Sequence, residues 1–203
     1  SAEDARRAAE LGFVRGVTTN PHLIAKEGLA ARDAIATLCA LVPGTVFHQL
    51  VGRDRQAMVE EAEAMAGIVP GRVGLKIPCT LEHLAVAAVL ADRGHVVGIT
   101  AIFAGAQTAL ACAAGARYVL PYVNRSTRLL GDGPALVRDM RAVIDALGAP
   151  VEIVAASIKT PDEAVATLRA GAHHLTLPLS VIEAMADHPL SRQAIDDFAR
   201  AGG

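Results

Sequence analysis

The stretch Val73-Gly74-Leu75-Lys76-Ile77-Pro78-Cys79 places one cation inside an otherwise apolar run. Such a run is typical of a strand buried on both faces of a parallel sheet. Burying Lys76 is costly because desolvation disfavours its ammonium form, and the same effect lowers the pKa of the amine and leaves more of it neutral and nucleophilic. The plainer interpretation is a lysine at a strand end whose head group reaches water. The remainder of the sequence favours the reactive amine.

Six further short apolar runs of strand length accompany this one along the chain. They are Val14–Thr19, Val46–Val51, Val96–Phe103, Tyr118–Val123, Glu152–Ile158 and His174–Leu179. Helical patterns separate most of the runs, and one more opens the chain. They are Ala2–Leu11, Asp54–Val69, Thr80–Asp92, Gly105–Ala114, Pro134–Leu147, Pro161–Ala170 and Ser180–Ala186. This alternation predicts right-handed βαβ units and a parallel sheet.

The predicted fold class is α/β, a (β/α)8 TIM barrel forming a single domain over residues 1–203. A dinucleotide-binding sheet would need GxGxxG after its first strand, whereas Gly16 is followed by Val17-Thr18-Thr19-Asn20-Pro21. The barrel is one strand short, because a strand should precede the helix Ala2–Leu11. We expect roughly eight to ten further residues upstream, enough for one strand and its lead-in.

Composition excludes several classes of protein. The 203 residues are 52% hydrophobic, yet no stretch reaches the length of a membrane span. The net charge is −2 and no basic stripe is present, so we expect no nucleic-acid partner. The three cysteines lack metal-ligand spacing and indicate small core residues in a reducing, cytoplasmic compartment.

Polar residues stand where the predicted strands end, which is the end of such a barrel that carries chemistry. They are Thr18, Asn20, Gln49, Lys76, Thr100, Tyr122, Arg125 and Ser157. Lys159 also stands at a strand end and is interpreted as a solvated side chain. Side chains two positions apart share a strand face. Two positions before the polar residues, on the same strand faces, stand Gly74, Gly98 and Ala155. Such small side chains predict room for a short substrate. Phe47 and Leu120 are expected to bound this space.

Several motifs together resemble the transaldolase family, and within it the small fructose-6-phosphate aldolase branch. The first two are Gly16-Val17-Thr18-Thr19-Asn20-Pro21 and Lys76-Ile77-Pro78. Next come Pro121-Tyr122-Val123-Asn124-Arg125 and Ala155-Ala156-Ser157-Ile158-Lys159-Thr160, and Thr176-Leu177-Pro178 lies near the end. The likeness runs from about Gly16 to Pro189 in the same order and with similar spacing.

The resemblance implies a class I aldol mechanism that needs no metal or other cofactor, acting on a small-molecule sugar phosphate. Lys76 would form a Schiff base with the ketone of a dihydroxyacetone-type donor. Gln49, Thr100 and Tyr122 would hold a catalytic water and move protons. The remaining roles are donor binding by Thr18 and Asn20 and phosphate binding by Arg125 and Ser157. The family also implies a homo-oligomer, a pentamer or decamer.

Gln49 and Tyr122 favour reversible aldol cleavage of ketose phosphates such as fructose 6-phosphate. The resemblance implies Glu and Phe at the matching positions of transaldolases proper, whereas Gln and Tyr are the pair of the aldolase branch. Transfer of a dihydroxyacetone unit between sugar phosphates is the alternative. The family's first-strand Asp would lie before Ser1, which leaves open a non-catalytic sugar-phosphate-binding homologue. A metal-dependent aldolase is disfavoured by the lack of clustered His and carboxylate ligands.

Three of these positions also have plainer interpretations. Asn20 before Pro21 fits a turn that enters a helix. Arg125 fits a surface cation on a loop. Ser157 fits a strand-end hydroxyl bonded to backbone.

Overall fold

The computed structural model describes residues 1–202, which form seven strands and eleven helices. The strands are β1 (Val17–Thr18), β2 (Val46–Gln49), β3 (Val73–Pro78), β4 (Val97–Ile102), β5 (Tyr118–Pro121), β6 (Glu152–Ala155) and β7 (His174–Leu175). The helices are α1 (Ala2–Glu10), α2 (Pro21–Lys26), α3 (Ala31–Leu41), α4 (Arg55–Ala66), α5 (Leu81–Asp92), α6 (Gly105–Ala113), α7 (Val123–Leu130), α8 (Gly133–Leu147), α9 (Pro161–Arg169), α10 (Leu179–Ala186) and α11 (Pro189–Ala201).

All seven strands belong to one parallel sheet, in the order β1 to β7 along the chain. The sheet curls so far that its two edges approach each other. The Oγ1 atom of Thr18 at the end of β1 lies 2.8 Å from the Oγ1 atom of Thr176, which directly follows β7. The architecture is a (β/α)8-type barrel that lacks one strand, which confirms the predicted fold class.

The helix starts follow from local sequence. Thr80, Asp54 and Thr160 each accept a hydrogen bond from the backbone N–H three residues ahead, and so satisfy one of the unpaired donors of α5, α4 and α9. Pro161 follows its cap at the first helical position, as the sequence predicts. Gly148 ends α8 in the left-handed conformation that glycine adopts without strain.

The sequence pattern did not predict four of the helices, namely α2, α3, α7 and α11. The predicted strand Tyr118–Val123 runs too far, because α7 begins at Val123 directly after the chain leaves the sheet. Val123 is fully buried in this helix. An apolar residue at the end of a short run therefore fits either element, and only its hydrogen bonds decide.

The interior of the barrel is filled by side chains beneath the site, and the predicted open space is wrong. A Cβ atom added to Gly74 would lie 2.7 Å from the Phe47 ring. A Cβ atom added to Gly98 would lie 2.9 Å from Cδ1 of Leu120. Tyr118 packs edge-on against Phe47, with 5.5 Å between ring centroids. The glycines leave room for these large side chains, which form the floor of the site.

Within residues 1–202, none of the helices combines the length and the apolar character that crossing a membrane requires.

Candidate active site

Lys76 lies near the carboxyl end of β3, with only 5% of its surface exposed. Its Nζ atom donates a hydrogen bond of 2.6 Å to the backbone carbonyl of Thr19. Among residues 1–202, no carboxylate forms an ion pair with it. Desolvation by burial lowers the pKa of Lys76 from 10.5 to about 8. Because of this lower pKa, the fraction of Lys76 that is neutral at pH 7 is about 300-fold larger than for a lysine with a pKa of 10.5.

Gln49 and Thr100 flank Lys76 on the neighbouring strands. Gln49 is the register partner of Lys76 on β2, and Thr100 of β4 pairs with Pro78, two residues beyond Lys76. Within the described part of the chain, the Oε1 atom of Gln49 and the Oγ1 atom of Thr100 are buried without a hydrogen-bond partner. Buried polar atoms are nearly always paired in folded proteins. Two exceptions beside one buried amine indicate a site built to receive polar groups.

Thr18, at the end of β1, and Asn20, two residues later, are close in the chain to Lys76's hydrogen-bond acceptor, because the carbonyl that accepts from Lys76 belongs to Thr19 between them. The hydroxyl of Thr18 lies against that of Thr176. Asn20 caps α2, where its Oδ1 accepts from the N–H of Leu23 at 2.9 Å. Asn20 therefore lies at the entry to a helix, as its plainer interpretation predicts. The cap uses only Oδ1, so the Nδ2 hydrogens of Asn20 are still available as donors.

Tyr122 and Arg125 form a second group at the end of β5. The guanidinium carbon of Arg125 lies 4.7 Å from the centroid of the Tyr122 ring, a cation–π arrangement. Phe103 packs edge-on against Tyr122, with 6.0 Å between the two ring centroids. Arg125 is exposed and forms no ion pair within residues 1–202. Its five donors can therefore bind an oxyanion.

Ser157 joins this second group through its backbone. It adopts a φ of 62°, which is strained for a residue other than glycine. Its carbonyl accepts from the N–H of Asn124, and that of Ala156 accepts from Val123. These bonds fix the end of β6 against the first turn of α7, which carries Arg125. Strain of this kind is commonest at functional sites.

Sequence reasoning missed three contributors to the site. The Thr19 carbonyl has no sequence signal, because backbone acceptors look alike in every residue. Thr176 stands in a motif that the sequence singled out, but its contact with Thr18 depends on how far the sheet curls. Phe103 was expected to end a strand, and its packing on Tyr122 appears only in three dimensions.

Metal ligands are not clustered in the part of the chain that the structure describes: residues 1–202 contain no group of three or more His, Cys, Asp or Glu side chains able to hold an ion. The polar groups beside Lys76 are amide, hydroxyl and carbonyl, which are weak ligands without a carboxylate.

The fold and the site define the class of the protein as an α/β barrel in which polar side chains lie around one buried lysine at the carboxyl ends of the strands. The family model described as "Transaldolase/Fructose-6-phosphate aldolase" matches residues 1–201. The chain belongs to the transaldolase/fructose-6-phosphate aldolase family and is an enzyme of that family.

Two curated relatives show how far the likeness extends. A "Probable transaldolase 1" of Listeria monocytogenes is 37% identical over 98% of this chain and 92% of its own length. A "Probable transaldolase" of Desulforudis audaxviator is 39% identical over 98% of this chain and 94% of its own length. The two alignments thus span all but a few residues of this chain.

Solved structures support the fold alone. Two crystal structures of mandelate oxidase superimpose with TM-scores of 0.63 and 0.62, at 13% and 14% identity. The matches cover 85% and 95% of this chain, which spans 57% and 64% of those chains. Both similarities concern the α/β barrel architecture.

We predict that the reactivity of Lys76 follows its lowered pKa. Imine formation with a small ketone should rise about tenfold per pH unit below pH 8 and level off above it, because the neutral amine is the nucleophile. The measurement is the initial rate of imine formation across pH 6 to 10, trapped by reduction. A rate that continues to rise to about pH 10, as for an ordinary exposed lysine, would contradict the assignment.

Proposed function

We propose that the protein is a Schiff-base enzyme that transfers a dihydroxyacetone unit between sugar phosphates. The observation that carries the proposal is the buried Lys76 amine with its lowered pKa, at the catalytic end of a family barrel. Free aldol cleavage of a ketose phosphate such as fructose 6-phosphate is the second candidate.

The chemistry needs one amine and a controlled supply of protons. The neutral Nζ atom of Lys76 attacks the C2 carbonyl of the ketose, and water leaves to give an iminium ion. The C4 hydroxyl then loses its proton and the C3–C4 bond breaks. The electron pair of that bond moves towards the iminium nitrogen, which gives an enamine and releases an aldehyde. The polar atoms of Gln49, Thr100 and Tyr122 are proposed to hold the water and move the protons.

Transfer and cleavage differ only in the fate of the enamine. In transfer, its carbon attacks the aldehyde of a second sugar phosphate. In cleavage, the carbon takes a proton, and hydrolysis frees dihydroxyacetone and Lys76. The names of the curated relatives favour transfer. Gln49 and Tyr122 favour cleavage, because the phenol of Tyr122 is a proton donor that phenylalanine would lack.

Substrate phosphate is proposed to bind between Arg125 and Ser157. Arg125 presents a planar fork with two parallel donors, which suits two phosphate oxygens. The bonds from Val123 and Asn124 to the end of β6 hold Ser157 beside the helix that carries Arg125. Thr18 and the Nδ2 group of Asn20 are proposed to bind donor hydroxyls near Lys76.

We predict that Lys76 is the residue that becomes bonded to substrate. Borohydride with dihydroxyacetone should leave a stable adduct on Lys76 in the intact protein. Lys76→Met should abolish turnover and the adduct while keeping the fold, because the substitution removes the buried amine and replaces it by an apolar chain of similar length. Peptide mass spectrometry locates the adduct.

The matched control is Lys159→Met, which removes an exposed lysine after β6 and should leave both the adduct and the rate unchanged. Absence of an adduct in the unaltered protein would instead favour a non-catalytic sugar-phosphate-binding homologue.

We predict that Tyr122→Phe raises the ratio of transfer to cleavage by about tenfold or more. Loss of the hydroxyl should slow protonation of the enamine, which then persists until an acceptor aldehyde arrives. The measurement compares transfer from fructose 6-phosphate to erythrose 4-phosphate with release of free dihydroxyacetone. Tyr118→Phe is the control, because Tyr118 packs on Phe47 in the floor of the barrel. An unchanged ratio in Tyr122→Phe would reject the role of the phenol.

A homo-oligomer, a pentamer or decamer, is part of the same proposal. Helix α11 has no buried residue, and it exposes Leu190, Ile195 and Phe198 by 64 to 72%. Such apolar side chains close together on one helix favour burial against another subunit. The cytoplasmic location is also proposed, and the free thiols of the three cysteines support it.

We predict that Phe198→Asp dissociates this assembly, because it places a charge in the apolar contact. Sedimentation velocity should report a ring-sized particle for the unaltered protein and a smaller one for the variant. Leu81→Asp changes a leucine on α5 that is even more exposed than Phe198 and is the control. A monomer in the unaltered protein would contradict the proposal.

A further inference from the structure

One carboxylate binds the chain on both sides of Gln49. Oε1 of Glu61, on α4, lies 2.7 Å from Nε2 of His48. Oε2 accepts from the backbone N–H of Val51 at 2.9 Å and from that of Gly52 at 2.8 Å. A carboxylate only accepts, so Nε2 of His48 carries the donated proton. Glu61 therefore contacts the residue before Gln49 and the second and third residues after it.

The opposite side of the same segment is held by the sheet. Gln49 pairs with Lys76 in register, and the N–H of Leu50 donates to the carbonyl of Lys76 at 3.0 Å. Because side chains alternate along a strand, His48 points outward to α4 when Gln49 points into the barrel. The end of β2 is thus fixed within the sheet by its backbone bonds to β3 and on the outer face of the sheet by Glu61.

The contact between Glu61 and His48 is partly buried and involves an ionised carboxylate. His48 is buried, with 3% of its surface exposed. Desolvation acts to raise the pKa of Glu61, but the hydrogen bonds from His48, Val51 and Gly52 outweigh it and hold that pKa below its ordinary value. Glu61 is therefore ionised at neutral pH, and its hydrogen bonds are charge-assisted.

Gly52 brings the loop backbone into close contact with α4. A Cβ atom added there would lie 2.6 Å from the backbone nitrogen of Met58 in the first turns of α4. The loop backbone and the helix that carries Glu61 are in direct contact, so α4 transmits its position to the end of β2. Gln49 lies in this segment, and its buried Oε1 atom has no hydrogen-bond partner in the part of the chain that the structure describes.

We propose that Glu61 is a positioning residue that aims the Gln49 amide at the reacting groups on Lys76, acting through His48 on one side and the Val51–Gly52 backbone on the other. The inference rests on the proposed function, in which Gln49 holds the catalytic water. No bond to substrate is assigned to Glu61 or His48.

The test is a double-mutant cycle between Glu61→Ala and Gln49→Ala in the full chain. Each single variant should lower kcat by about 100-fold, because a misplaced group costs about as much as a missing one. If Glu61 acts through Gln49, the double variant should be no slower than Gln49→Ala by more than about threefold. The equilibrium yield of the borohydride adduct at Lys76 should stay within about twofold in all three variants.

Two further variants keep the test decisive if Glu61→Ala folds poorly. Glu61→Gln retains one oxygen acceptor for the loop, and its kcat should lie between those of Glu61→Ala and the unaltered protein. Glu60→Ala removes the neighbouring exposed carboxylate of α4, which bonds to Gln56, and should leave kcat unchanged.

The outcomes separate the two proposals. Effects of Glu61→Ala and Gln49→Ala that multiply, with a normal adduct, overturn the positioning role and leave the proposed function standing. A Glu61→Gln or Glu61→Ala variant with the kcat of the unaltered protein does the same. Failure of the unaltered protein to form the adduct at Lys76 overturns both.

Discussion

Desolvation of one amine is the constraint on which the site depends. Lys76 is held in a barrel strand with 5% of its surface exposed, and its hydrogen-bond partner is a neutral carbonyl. A carboxylate partner would have stabilised the ammonium form and kept the amine protonated. Burial without an opposite charge nearby does the reverse, and it leaves a larger fraction of the Lys76 amine neutral near neutral pH.

Closely packed side chains lie below this amine, and polar atoms without hydrogen-bond partners among residues 1–202 lie beside it. Phe47 and Leu120 fill the space that Gly74 and Gly98 provide, so water does not reach the amine from below. Above the floor, the buried Oε1 atom of Gln49 has no hydrogen-bond partner among residues 1–202. Packing keeps the dielectric low around the amine, and the unpaired group is available to a bound polar molecule.

The two groups of site residues are fixed by different means. Lys76 lies within the sheet ladder, where backbone pairing to β2 and β4 sets its position. Arg125 lies on α7, whose first turn bonds to the strained end of β6 at Ser157. Sheet pairing therefore holds Lys76, while the exposed guanidinium of Arg125 stacks on the Tyr122 ring.

The sequence by itself determined all seven strands, seven of the eleven helices within residues 1–202, and their parallel order, because period, caps and alternation are local properties. It also located Lys76, since an isolated cation in an apolar run is visible without coordinates. It could not locate the Thr19 carbonyl, the Phe47 ring beneath the site or the Glu61 carboxylate behind Gln49. Those contacts join residues far apart in the chain, and only the curvature of the sheet and the packing of α4 decided them.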